Sequence, residues 1–99
     1  MKTLAEIQQT IQAHKPYLTE KYGIDEMGIF GSYVRNEQTP DSDVDILITL
    51  TSPPKITLLG LVELEHEVSD ILGIKADIAL RDSLRKRIGQ RILSETIRL

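Results

Sequence analysis

The stretch from Val44 to Leu50 restricts the possible folds more than any other part of this chain. It is rich in isoleucine and leucine and follows a polar segment of turn-forming residues, so it predicts a buried β-strand. Two aspartates, Asp43 and Asp45, stand at its start. Because side chains alternate along a strand, both carboxylates project from one face, whereas Val44 and Ile46 project from the other. The predicted sheet therefore has one apolar face and one face that carries a pair of acids.

Helical and strand patterns alternate along the rest of the chain. Thr3 and Glu6 have the spacing of a capping box at the start of a first helix. Pro16 is expected to end or restart that helix, because proline has no amide hydrogen to donate, and a second short helix is predicted from Pro16 to Tyr22. The other predicted elements are a strand at Met27–Phe30, a short helix after Ser32, a helix from Leu58 to Leu72 followed by Gly73, a strand at Ala76–Leu80, and a last helix capped by Asp82 or Ser83 with Leu84, Ile88, Ile92 and Ile97 on its inner face.

These elements predict a single α/β (α+β) domain over residues 1–99, with helices flanking a mixed sheet of at least three strands. The chain has no cysteine, which excludes disulfides and thiolate chemistry. No apolar run approaches the roughly 20 residues that span a bilayer, and the first residues lack the apolar stretch of a secretory signal. We therefore expect a cytoplasmic location without membrane contact.

Charge is distributed unevenly along the chain. The net charge of -3 argues against a general nucleic-acid binder, and no direct contact with nucleic acid is expected. Residues 81–99 nevertheless carry a net charge of +4, while the first 80 residues carry -7. The basic end is either a solvated helix face or a surface for a charged ligand or partner, and the sequence leaves both interpretations open.

Asp43, Asp45 and Asp77 are the candidate catalytic and metal-binding residues. Two carboxylates on one face of a strand repel each other, and a cation between them removes that repulsion. Oxygen ligands suit Mg²⁺, and Mn²⁺ is equally possible. Asp77 lies within the apolar run Ala76–Leu80, so three carboxylates converge if this strand lies beside the one that follows Asp43. Convergence would fit metal-assisted phosphoryl-type transfer, whereas an Asp77 that pairs with a neighbouring lysine or arginine would be structural only.

Gly31 and Ser32 are the candidate nucleotide-binding residues. They follow the strand that ends at Phe30, and glycine lets a backbone approach a phosphate closely. Backbone amides at a helix start, together with the Ser32 hydroxyl, can hold phosphate oxygens. Arg35 follows one turn later, where it would either add a positive charge to the phosphate site or pin the loop.

Gly31-Ser32, ten further residues and then Asp43-x-Asp45 resemble the GSx10DxD motif of the polymerase-β-type nucleotidyltransferase superfamily. The longer stretches Phe30–Glu37 and Ser42–Ile48 are similar to the minimal nucleotidyltransferases, which are stand-alone domains of about this size. The resemblance covers nearly the whole chain. It implies the small nucleotidyltransferase fold and ATP as a substrate.

The resemblance also implies roles for individual residues. The three aspartates named above become the metal ligands, and Gly31 and Ser32 hold the triphosphate. Arg35 matches the motif. Asn36 departs from it, because the family usually has glycine there, but asparagine tolerates left-handed backbone better than most residues. The loop is therefore expected to keep its geometry.

Members of the minimal group commonly act as antitoxins beside a HEPN-domain ribonuclease. The resemblance therefore implies a hetero-oligomeric complex in which AMP passes from ATP to a tyrosine hydroxyl of that toxin and inactivates it, in a type VII-like toxin–antitoxin system. Two alternatives stay open. The chain could block a toxin by binding alone, without catalysis, or it could transfer the nucleotide to a small molecule.

Overall fold

A computed structural model of the chain describes residues 2–99, so the predicted domain bound at Met1 lies outside the described residues. A short 3₁₀ turn, Arg81–Ser83, precedes the last helix. The helices and strands, in chain order, are α1 (Leu4–Tyr22), β1 (Ile24–Phe30), β2 (Val44–Leu50), α2 (Leu58–Leu72), β3 (Ala76–Leu80), α3 (Lys86–Glu95) and β4 (Ile97–Arg98). Within the described residues, no helix combines the length and the apolar character needed to cross a membrane.

The four strands form one mixed sheet in the order β3-β2-β1-β4. β2 and β3 are parallel, with α2 as the connection between them, whereas β1 is antiparallel to both β2 and β4. This architecture confirms the predicted α/β (α+β) class and the mixed sheet of at least three strands.

One face of the sheet carries the core. α1 and α2 pack together against this face, because each helix places a line of apolar residues towards it. Asp45 lies on the other face of the same strand. The fully buried core residues at this interface include Ile7, Ile11, Leu18, Ile29, Val44, Ile46, Ile48, Leu64 and Val68.

The first helix runs without interruption through Pro16, so the prediction that this residue ends or restarts the helix was wrong. Pro16 is exposed, and the backbone carbonyl that it leaves without an intrahelical partner can be solvated. Ile11 before the proline and Leu18 after it are both fully buried. Packing of both halves on the same core therefore outweighs the local preference for a break. The predicted capping box of Thr3 and Glu6 is present.

The C-terminal segment differs from its prediction in two ways. Neither Asp82 nor Ser83 caps α3, because the chain first forms a 3₁₀ turn and the helix begins at Lys86 without a side-chain cap. Ile97, predicted on the inner face of the helix, instead lies in β4 and pairs with Ile29. Without β4, the outer edge of β1 would leave backbone groups unpaired.

The predicted inner face of α3 was also partly wrong. Ile88 is 56% exposed, and the buried position of the helix is Gly89. A Cβ atom at Gly89 would lie 3.2 Å from the Leu84 Cβ, so the glycine lets Leu84 fold closely over the first turn of the helix. The helix therefore packs closely against Leu84 at Gly89, and Ile88 does not form part of a buried stripe.

Candidate active site

The three predicted acids lie at one end of the sheet, on adjacent strands. Asp43 directly precedes β2, Asp45 is the second residue of β2, and Asp77 is the second residue of β3. Asp45 and Asp77 are partners in the parallel register, which places their Cα atoms about 5 Å apart. The condition on which convergence depended, that the two strands are neighbours, is therefore met.

The surroundings of Asp45 disfavour its charged form. Burial, followed by the negative charges of Asp77 and Asp43, raises the pKa of the Asp45 carboxyl to about 6. The positive charge of Arg35 acts in the opposite direction. A divalent cation beside these carboxylates would restore the ionised state, because opposite charge favours it. The electrostatics of this group of acids therefore fit a hard cation bound by oxygen atoms.

The side chains of the acids are less closely grouped than their backbones. Within residues 2–99, no three histidine, cysteine, aspartate or glutamate side chains are placed to hold a metal ion as they stand. Asp43 is turned towards Lys75, with 3.8 Å between Oδ2 and Nζ, and Asp77 is exposed. The lysine therefore pairs with Asp43, not with Asp77. The donor atoms suit Mg²⁺ or Mn²⁺, and rotation of the side chains is needed to bring all three carboxylates to one point.

Gly31 forms the sharp turn that follows β1 and faces Asp45. Its φ of 83° lies in the left-handed region, where residues with a side chain are strained. A Cβ atom at this position would also overlap the Asp45 carboxylate, which lies directly against the backbone of the turn. Two independent constraints thus require glycine, and both arise from the junction between the predicted phosphate-binding turn and the acids.

The segment after Gly31 is a series of hydrogen-bonded turns and not the predicted short helix. The Gly31 carbonyl accepts from the amides of Val34 and Arg35, at 3.0 and 3.1 Å, and the Ser32 carbonyl accepts from the next turn. Asn36 adopts a φ of 57°, as expected for an asparagine that replaces glycine. The polar composition of the segment favours turns over a continued helix.

The first amides of this turn lack a protein acceptor in the part of the chain that the structure describes. Among residues 2–99, the structure contains no hydrogen-bond acceptor for the backbone amides of Ser32 and Tyr33. These amides lie next to Gly31, and therefore next to the Asp45 carboxylate. Adjacent unpaired amides are the groups that hold phosphate oxygens in turns of this kind.

Arg35 is held by carboxylates of the protein itself. Its Nη1 donates to both oxygens of Glu95 at 3.0 Å, and its Nε donates to Glu37. Glu37 and Glu95, in that order, raise the pKa of the Arg35 guanidinium above its ordinary value. Of the two roles that the sequence left open for Arg35, this arrangement favours pinning the loop.

Two residues of the site were not identified from the sequence. They are Lys75, which pairs with Asp43, and Glu95. Glu95 is 64 residues from Gly31 along the chain, yet its side chain accepts from the Gly31 amide at 3.3 Å. The one sequence signal for Glu95 was its negative charge at the end of an otherwise basic helix, which indicates that it could bind a cation or an amide.

The nucleotidyltransferase domain model matches residues 11–99 of this chain. A relative from Thermococcus cleftensis, named protein adenylyltransferase MntA, is 42% identical over 97 residues, which cover 98% of this chain and 96% of the relative. Domain match and relative therefore agree over almost the whole sequence.

Two solved structures have the same fold as this chain. A chain provisionally named a minimal nucleotidyltransferase superposes with a TM-score of 0.74 at 29% identity and covers 92% of this chain and 94% of its own. A chain from the structure of tri-AMPylated Shewanella oneidensis HEPN toxin in complex with MNT antitoxin has a TM-score of 0.68 at 16% identity. This second match covers 93% of the present chain and 70% of the other, and at that identity it shows the fold alone.

The sheet, the glycine turn and the adjacent acids define an enzyme of the nucleotidyltransferase class. Within that class, the chain belongs to the minimal nucleotidyltransferase family.

Proposed function

We propose that this chain is a protein adenylyltransferase that transfers AMP from ATP to a tyrosine hydroxyl of a HEPN-domain ribonuclease toxin and so acts as its antitoxin. The observation that carries the proposal is the junction at which Asp45, paired in register with Asp77, lies against the Gly31 turn. The name of the Thermococcus relative and the AMPylated toxin in the Shewanella complex support the choice of acceptor.

In this proposal the turn and the acids have separate tasks. The free amides of Ser32 and Tyr33 and the Ser32 hydroxyl hold the triphosphate. Asp43, Asp45 and Asp77 would hold a divalent cation, which would supply neutralising charge for the triphosphate and lower the pKa of the attacking hydroxyl. Asp77 is exposed, and we assign it to the side from which the acceptor enters.

The transfer itself is a substitution at the α-phosphorus of ATP. The tyrosine oxygen forms a bond to this phosphorus while the bond to the β-phosphate bridging oxygen breaks. Pyrophosphate leaves, and the proton of the hydroxyl passes to solvent. The protein contributes position and charge, because this chemistry requires little else from side chains.

An acceptor of macromolecular size fits the open form of this site. Asp77 is exposed, and the Asp43 side chain is 41% exposed, so the acids lie at the surface. A protein acceptor would bring its own binding surface to such a site. A small molecule, in contrast, is usually bound in a pocket that covers most of its surface.

Intact-mass analysis tests the proposal. The protein encoded by the neighbouring gene is incubated with this chain, ATP and Mg²⁺, and a gain of one or more adenylates is expected. Asp43→Asn should reduce the rate by about a thousandfold or more, because it removes a metal ligand. Asp41→Asn is the matched control, since Asp41 is exposed in the preceding turn and should transfer at the normal rate.

The alternatives give different results in the same experiment. If Asp43→Asn still neutralises the toxin at equal stoichiometry, the chain acts by binding alone. If adenylate is transferred to a small molecule in the absence of any protein acceptor, the chemistry is retained and the acceptor is wrong. Unchanged protein modification by Asp43→Asn would contradict the assignment of the acids.

A further inference from the structure

Glu95, the last residue of α3, reaches the phosphate-binding turn from the other end of the chain. Its carboxylate accepts from the Gly31 amide at 3.3 Å and from Arg35 Nη1 at 3.0 Å to each oxygen. The side chain is only 19% exposed. One carboxylate therefore joins the start of the turn, the arginine four residues later and the C-terminal helix.

The hydrogen bonds of the turn are divided between two functions. Glu95 satisfies the amide of Gly31, whereas the amides of Ser32 and Tyr33 have no acceptor within the described part of the chain. The carboxylate thus fixes the turn without occupying the donors assigned to the triphosphate.

Arg35 balances the charge of Glu95. Without a partner, the Glu95 carboxylate would add to the negative charge that ATP must approach. Glu95 already disfavours the charged form of Asp45. The guanidinium, held by Glu95 on one side and Glu37 on the other, cancels much of that charge. Because Nη1 donates to Glu95 and Nε donates to Glu37, the orientation of the guanidinium is also fixed.

The contact of Glu95 with the Gly31 turn matters more because α3 itself is sparsely buried. The helix begins without a side-chain cap, and Gly89 is its one buried residue in the described structure. Beyond the helix, Ile97 and Arg98 pair with β1, and the Leu99 amide donates to the Met27 carbonyl at 2.9 Å. Glu95 connects this anchored C-terminal segment to the Gly31 turn.

We infer that Glu95 is a positioning residue for nucleotide binding, which holds the Gly31 turn and Arg35 in the geometry that the triphosphate requires. The inference rests on the proposed role of the turn in binding ATP. It assigns Arg35 to the same task, as the group through which Glu95 acts, and not to direct contact with phosphate.

Four variants separate this role from the alternatives: Glu95→Ala, Glu95→Gln, Arg35→Gln and a double variant. Glu95→Ala removes both contacts, and Glu95→Gln keeps an acceptor for the Gly31 amide but loses the charge that binds Arg35. The double variant Arg35→Gln with Glu95→Gln removes the pair as a unit. The matched control is Glu26→Gln, which breaks another Glu–Arg pair of the domain, to Arg98 at 3.5 Å, without touching the turn.

Two properties are measured for each variant. Calorimetric titration with ATP and Mg²⁺ gives binding, and steady-state transfer gives KM and kcat separately. Glu95→Ala should raise the Kd and the KM for ATP about tenfold, the loss expected for hydrogen bonds to a charged group, while kcat changes less than about twofold because the acids are intact. Glu95→Gln should lie between Glu95→Ala and the wild type, and the double variant should be no worse than Glu95→Ala.

Amide hydrogen exchange supplies a readout that does not depend on transfer. Residues 31–37 should exchange about tenfold faster in Glu95→Ala, and the strands should be unaffected. The control should change neither exchange nor KM. A loss of stability in Glu95→Ala without a change in the KM for ATP would mean that the Glu95–Arg35 pair is only structural, and would overturn the inference.

Two further outcomes are decisive. If Glu95→Ala lowers the KM for ATP and Arg35→Gln alone raises it, then Arg35 binds phosphate directly and Glu95 competes for it, which also overturns the inference. If the wild type binds ATP with the expected dependence on Glu95 but modifies no protein, the proposed function fails and the positioning role stands.

Discussion

Two clusters of charged residues in this domain differ in how far opposite charges are paired. Between α1 and α2, Glu67 accepts from Lys21 at 2.9 Å and from the Tyr22 hydroxyl at 2.7 Å, so each charge has a close partner. At the starts of β2 and β3, Asp45 and Asp77 are partners in register, and Lys75 lies 3.8 Å from the third acid, Asp43. The first cluster joins two helices, whereas the second concentrates unbalanced charge.

The pKa values follow this difference. Hydrogen bonds from Lys21 and Tyr22 lower the pKa of the Glu67 carboxyl, so folding favours its charged form. Burial and neighbouring acids raise the pKa of the Asp45 carboxyl to about 6, so folding disfavours its charged form. A cluster that weakens the fold in the absence of a ligand is one that the fold does not require. The comparison therefore separates a cluster that stabilises the fold from one to which we assign the proposed chemistry.

Gly31→Ala should have the largest effect on stability. The substitution strains a backbone with a φ of 83° and forces a Cβ atom against the Asp45 carboxylate, at a combined cost of about 2–4 kcal/mol. Gly73→Ala is the matched control, because Gly73 has a φ of 70° but nothing within 4 Å of an added Cβ. Its cost should be about 1 kcal/mol. Urea denaturation measures both values.

The difference between these two glycine variants isolates the contact with Asp45. Gly31→Ala should also weaken ATP binding, since the turn must move to relieve the overlap, and Gly73→Ala should leave it unchanged. Equal costs of unfolding for the two variants would mean that the acids and the turn are not in close contact. The two clusters would then be less different than the structure indicates.

Asp45→Asn should stabilise the protein at pH 7 by about 1–2 kcal/mol when no divalent cation is present, after allowance for solvent screening. The folded pKa of about 6 lies above that of an unfolded aspartate, about 4. As the pH rises from about 4 to 6, the unfolded state releases its proton first, so wild-type stability falls over this window. Asparagine cannot ionise and removes that loss.

The check is denaturation of both proteins at pH 7 and at pH 4. The advantage of Asp45→Asn should be present at pH 7 and should be much smaller at pH 4, where the folded wild-type carboxyl is protonated and the unfolded one is about half protonated. Glu67→Gln should show the opposite sign, with a loss of stability at pH 7 that fades as the pH falls through the low folded pKa of Glu67. Two variants with the same sign would contradict the comparison.

The sequence predicted best the elements that carry the acids. β2 and β3 have the predicted bounds, and α2 runs from Leu58 to Leu72 as expected. Each of these elements is a clear apolar pattern between strong turn signals, so local information is sufficient. The sequence analysis could select all three acids, Asp43, Asp45 and Asp77, because their positions depend on these same strands.

Elements that depend on distant contacts were predicted less well. β1 begins at Ile24 and not at Met27, because pairing of Ile24 with Leu50 extends it beyond its local apolar run. β4 has two residues and exists only through its pairing with β1, so no local pattern could reveal it. Glu95 was missed for the same reason, since its partners lie at the other end of the chain. Charge alone does not specify a partner across the fold.

Tyr22→Phe is the smallest of these changes and tests the balanced cluster. The hydroxyl of this buried tyrosine donates to Glu67, and burial together with Glu67 raises the pKa of Tyr22 to about 12. Removing the hydroxyl should cost about 1 kcal/mol and leave both the KM for ATP and the transfer rate unchanged. Tyr17→Phe is the control, because Tyr17 is 51% exposed and its hydroxyl accepts from the exposed Lys21 at 3.0 Å. A change in transfer with Tyr22→Phe, in the absence of such a change with Tyr17→Phe, would connect the helix cluster to the active site and remove the separation between stability and chemistry.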